Sequence, residues 1–138
     1  MVWNDWRTYA TTGIDLYAQG VTSAGAIANG WPTSGLPICT APGHQANPQS
    51  GGSVLSMASD AGGGAYVSWQ DQRAGWQVYA TRVRGDGTFG LGWQPDGTRA
   101  SPDEHNGGGG PWVVPSATGV IVFWNFQSSE YAAKLVDG

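Results

Sequence analysis

The chain starts over partway along its length. Trp3, Asp5 and Arg7 return at the same spacing as Trp69, Asp71 and Arg73, and Leu16-Tyr17-Ala18-Gln19-Gly20-Val21 returns as Val78-Tyr79-Ala80-Thr81-Arg82-Val83. Gly25, Trp31 and Gly35 recur as Gly87, Trp93 and Gly97, each displaced by the 62 residues that separate Tyr17 from Tyr79. A third, weaker copy follows in Val122-Phe123-Trp124-Asn125 and Tyr131-Ala132-Ala133-Lys134-Leu135-Val136. So many matches in one order require a duplicated structural unit. A unit of this size does not bury its apolar face alone, so copies must stack or close in a ring before a core exists. The 138 residues therefore read as one repeat domain, 1–138, with copies at approximately 2–52, 53–110 and 111–138, the first and last incomplete.

Gly or Pro interrupts nearly every window that would otherwise carry a helical period, while short β-favouring runs recur between clusters of Gly, Asp, Asn and Ser. The best-defined copy predicts strands at 53–58, 65–71 and 76–84 and a short fourth near 97–100. The 23 glycines and 8 prolines would suggest low complexity but for 8 tryptophans recurring in register. The expectation is an all-β fold.

Four antiparallel strands joined by hairpins form the blade of a β-propeller. The order Trp-x-Asp-x-Arg, then Tyr17-Ala18 or Tyr79-Ala80 with Val21 or Val83, then the Gly-Trp-Gly turn, resembles the tandem-repeat propellers of bacterial extracellular proteins. The resemblance implies four-stranded antiparallel blades and an extracellular or periplasmic setting for the parent protein. In the third copy Phe126 stands for the Asp and Ser128 for the Arg. Counting strands gives roughly three, four and three, about two and a half blades. One chain then holds an incomplete ring, completed by self-association into a homo-oligomer.

Charged residues are only 12% of the chain and the net charge is −4, with the six basic residues scattered. That argues against nucleic acid, which needs clustered Lys and Arg. No apolar run predicts a membrane-inserted helix, and the N-terminus lacks the order of a signal peptide. Cys39 is the only cysteine, so no intrachain disulfide forms, and it reads as a small buried hydrophobe.

Trp3, Asp5 and Arg7, like Trp69, Asp71 and Arg73, alternate along a strand and so share one face. They form either a ligand clamp or a structural tie across the hairpin turn, and an element repeated in each blade reads as architecture first. Trp31 and Trp93 are core if buried between blades, and sugar-stacking surfaces if exposed at a blade edge. Trp6, Trp76 and Trp112 do not recur at matched positions and are stronger candidates for exposure. Eight indoles exceed what one small core readily absorbs.

His44 and His105 are the only histidines, at near-equivalent places in the loops leading from the Gly-Trp-Gly turn towards the next blade. In a closed ring these loops would bring both imidazoles towards the axis, with Asp103 and Glu104 beside them. Imidazole with carboxylate is a common zinc ligand set, and an open coordination position would activate water. The alternative is that both are solvated loop residues. No H-E-x-x-H, C-x-x-C, EF-hand, G-x-S-x-G or phosphate-loop pattern is present.

The leading expectation is a non-catalytic module that binds a glycan or another small molecule through exposed aromatics. A second is a metal-dependent ester or phosphoester hydrolase using zinc or a similar divalent ion at His44 and His105. A third is a structural fragment with no evolved ligand.

Overall fold

A computed structural model describes residues 1–45, 55–103 and 110–138. They form ten strands: β1 (Val2–Asp5), β2 (Asp15–Ala18), β3 (Leu36–Cys39), β4 (Leu55–Ser59), β5 (Ala65–Asp71), β6 (Gln77–Val83), β7 (Thr98–Arg99), β8 (Trp112–Ser116), β9 (Gly119–Phe126) and β10 (Ser129–Val136). The all-β expectation holds, with no α-helix among the described residues.

The strands pair into three antiparallel meanders, β1-β2-β3, β4-β5-β6-β7 and β8-β9-β10. Aligning the repeated Trp and Tyr makes β1, β5 and β9 equivalent, then β2, β6 and β10. The first sheet therefore lacks a counterpart of β4, and the third lacks a counterpart of β7. The strand count of three, four and three stands. The two short sheets duplicate the same middle strands, however, so they cannot add up to one four-stranded sheet. The chain is three stacked sheets, which do not close on themselves.

Alternation along each strand decides which sheet faces which. From the central sheet, Val67, Trp69, Tyr79 and Val83 point one way, onto Leu16, Ala18, Ile38 and Cys39 of the first sheet. Tyr66, Val78 and Ala80 point the other way and join Trp93 against Val113, Val120, Val122 and Trp124 of the third. The central strands are consequently buried almost without a break, as expected of a sheet covered on both faces. The central and third sheets are thus directional, each with its Trp–Tyr face turned towards the sheet before it.

The Gly-Trp-Gly turn serves this stacking. Gly35 and Gly97 adopt positive φ (89° and 70°) and lie under the indoles of Trp3 and Trp69, where an added Cβ would come within 2.5 and 2.4 Å of the ring. The tryptophan of the same turn reaches across to the next sheet. Trp31 Nε1 donates to Gly85 O (2.8 Å), and Trp93 Nε1 donates to Asp137 Oδ1 (2.7 Å). Gly85 and Asp137 are equivalent, each six residues beyond its repeat tyrosine.

Candidate functional site

The Trp-Asp-Arg element forms a closed unit. Trp69 Nε1 donates to Asp71 Oδ2 (2.9 Å), Arg73 Nη2 donates to the same oxygen (2.6 Å), and the Arg73 backbone N–H donates to Asp71 Oδ1 (2.9 Å). Arg73 also lies over the Tyr79 ring (4.1 Å) and donates to Asp96 O (2.7 Å). Trp3, Asp5, Arg7 and Tyr17 repeat the arrangement, with Arg7 donating to Ser34 O (2.9 Å). Each guanidinium thus joins its own hairpin turn to a carbonyl of the Gly-Trp-Gly turn on the same sheet, an arrangement suited to a structural tie. Burial is the largest single influence on Arg73 and opposes its charge, but the hydrogen bonds to Asp71 together with the electrostatic attraction of Cys39, Asp71 and Tyr79 hold its pKa above the ordinary range. Cys39 lies against this pair, accepting from Arg73 Nη2 (3.0 Å). Burial and the nearby Asp71 carboxylate push its thiol pKa up, so the nucleophilic thiolate is suppressed.

The hydrogen bonds from the Arg7 side chain outweigh the cost of burial and, with the Arg7 backbone N–H and the Trp3 indole, hold Asp5 down at about 2, from an ordinary 3.8. With the folded-state value depressed, this stabilisation is complete above about pH 4 and is lost as the pH falls towards 2. Arg7 is 46% exposed, so solvent screening limits the effect to about 1 kcal/mol. Urea midpoints measured from pH 5 to pH 2 should show wild type losing about that much more stability than Asp5→Asn.

The first copy departs from the repeat in its β1–β2 loop. Arg7 and Arg73 differ by 66 positions but Asp15 and Gln77 by 62, so this loop is four residues longer than its counterpart. Residues 6–13 coil into a tight turn, with Tyr9 N donating to Trp6 O (3.2 Å), Thr12 N to Thr8 O (2.9 Å) and Gly13 N to Tyr9 O (3.2 Å). The hydroxyls of Thr8 and Thr12 donate to the buried Asp15 carboxylate, fixing the turn on β2.

That turn builds an aromatic ladder. Trp6 stacks on Tyr9 (centroids 4.9 Å apart), and Tyr9 stacks on His44 (5.6 Å). Trp6 is 56% and Tyr9 48% exposed. His44 is fixed at the foot of the ladder. Its Nδ1 accepts from Ile14 N–H (3.1 Å), its carbonyl accepts from Gln72 N–H (2.9 Å), and Gly13 lets the ring approach, since a Cβ there would come within 2.9 Å of Nδ1.

Of the other candidates, Trp93 is buried, Trp31 and Trp76 are half-buried, and Trp112 is 50% exposed on β8. Asp103 accepts from Arg99. His105 and Glu104 lie outside the described residues, so the pairing of His44 with His105 does as well. Among the described residues no three His, Cys, Asp or Glu side chains converge to hold a metal ion. The residue missed in the sequence is Tyr9. The four-residue change in repeat offset was the signal that could have found it, because added length in one copy marks what the shared architecture does not need.

The fold and the ladder define an all-β stacked-sheet protein with a surface aromatic platform. Compared with protein-family models, with curated proteins and with solved structures, the chain matches none.

Proposed function

We propose that this protein is a non-catalytic carbohydrate-binding module that works as part of a propeller-type assembly of its own copies. The observation that carries the reading is the Trp6–Tyr9–His44 ladder, with Trp6 and Tyr9 exposed, built on a β1–β2 loop four residues longer than its counterpart in the central copy. Exposed stacked rings cost solvation without adding to the core, and flat π faces with polar edges suit the C–H faces and hydroxyls of a sugar. Thr11, exposed in the same turn, donates its proton to Thr8 O and keeps its hydroxyl oxygen as an acceptor for a ligand. The propeller reading is supported by directional sheets stacked in one sense, each latched to the next by an equivalent tryptophan.

Tryptophan fluorescence and calorimetric titration with glucose, galactose, mannose, N-acetylglucosamine and their disaccharides test the proposal. At least one sugar class should bind, at an affinity on the order of 1 mM per site. Trp6→Ala should weaken that binding by about tenfold or more, equivalent to about 1.4 kcal/mol, while leaving the urea midpoint unchanged. A flat response across the panel, or full affinity in Trp6→Ala, would remove the reading.

A further inference from the structure

The stack ends in two unlike faces. At one end is the Trp–Tyr face of the first sheet, carrying Trp3, Tyr17 and Arg7. Its equivalent on the central sheet is covered, and the difference is large: Trp69 is fully buried where Trp3 is half-buried, and Arg73 is 21% exposed where Arg7 is 46% exposed. At the other end is the far face of the third sheet. Trp112 pairs with Phe123 and Val114 with Ile121 across β8 and β9, all pointing away from the core that Val113, Val120 and Val122 form. Trp112, Val114 and Phe123 are exposed, and Trp112 and Phe123 line a shallow cleft of about 260 Å³ together with Asn125 and Glu130.

We infer that these two faces dock on each other between copies of this chain, head to tail, so that the third sheet of one copy covers the Trp–Tyr face of the first sheet of the next. The proposal rests on reading the sheets as successive blades, and it adds which surfaces meet and with what polarity. Within the chain the same contact is made twice, the far face of one sheet against the Trp–Tyr face of the following one. A second copy is the occupant whose surface has that construction. Charge agrees. Glu130 occupies the register held by Leu16 in the first copy, and Leu16 is paired with Cys39, whose sulfur accepts from Arg73 of the next sheet (3.0 Å). An acidic group thus replaces an apolar one at the place where docking would bring it towards Arg7. Because the two faces are unlike, the contact is heterologous, and repeated head to tail it leads to a closed ring of two or more copies or to an open chain of copies.

Sedimentation analysis of wild type, Arg7→Glu and Phe123→Asp tests this. Wild type should assemble at high micromolar concentration, and each variant should run as a single chain, its association weakened by about 100-fold or more. Because each variant keeps one intact face, an equimolar mixture of the two should form a dimer of one copy each and stop there. That rescue requires both variants to be folded. A wild-type protein that stays a single chain, a variant that assembles as wild type does, or a mixture that stays monomeric would overturn the proposal. Near-UV circular dichroism of the buried tryptophans separates failure to dock from loss of the stacked sheets, and sugar titration of the Phe123→Asp variant, whose substitution is remote from the β1–β2 loop, tests the ladder independently.

Discussion

Trp69→Ala is expected to lower the unfolding free energy by about 3–5 kcal/mol, enough to leave much of the protein unfolded at room temperature. Trp69 is the largest fully buried side chain, stacked on Tyr79 (6.2 Å) at the centre of the contact between the first and central sheets. Removing it opens a cavity between two sheets whose backbones are fixed by ladders, so the site collapses poorly. It also strips Asp71 of an indole donor in a buried setting. The equivalent Trp3→Ala change removes the same atoms from a half-open face and should cost about 1–2 kcal/mol, because part of that surface already meets water. Urea denaturation followed by circular dichroism measures both. Equal losses at the two positions would contradict the asymmetry between covered and uncovered sheets.

Asp137→Ala is expected to cost about 2–3 kcal/mol. Its carboxylate accepts from Trp93 Nε1 (2.7 Å), Arg82 Nη1 (2.9 Å) and the Tyr66 hydroxyl (3.0 Å). Arg82 is simultaneously held by Asp60, which the amides of Gly62 and Gly64 support. Loss of the carboxylate removes one acceptor from three donors and leaves the segment after β10 held to the central copy by the Gly138 N–H to Leu91 O bond (3.1 Å). The check is a lowered urea midpoint together with a change in Trp93 emission. Asp137→Asn should recover part of the loss, since one amide oxygen still accepts while the charge-assisted share disappears.

The repeat made the strands legible. Residues 65–71 were placed as a strand from the turn signals alone, and β5 spans Ala65–Asp71. Residues 53–58 and 76–84 fall close to β4 and β6. What the sequence concealed was direction. Alternation says that Trp69 and Tyr66 point to opposite faces, but not which face meets which sheet, since both are apolar. The site was half legible. Trp6 stood out because it does not recur, whereas Tyr9 and His44 lie 35 positions apart and meet only because Gly13 lets the later loop close over the earlier turn. Asp137 was missed because its counterpart is Gly85, and a repeat comparison attends to what is shared.

The long β1–β2 loop also bears on how such a protein changes. Its entrance is pinned by Asp5 and Arg7, and its exit by Asp15 together with His44. Everything between those anchors can vary in length and sequence without disturbing a strand register. The corresponding turn in the central sheet is anchored in the same way by Asp71 and Arg73, with Gln72 N–H donating to His44 O. On the proposed reading, recognition is a graft on a scaffold whose strand pairing does not depend on it, and a lineage could acquire, exchange or lose a ligand while its stacked sheets stayed as they were.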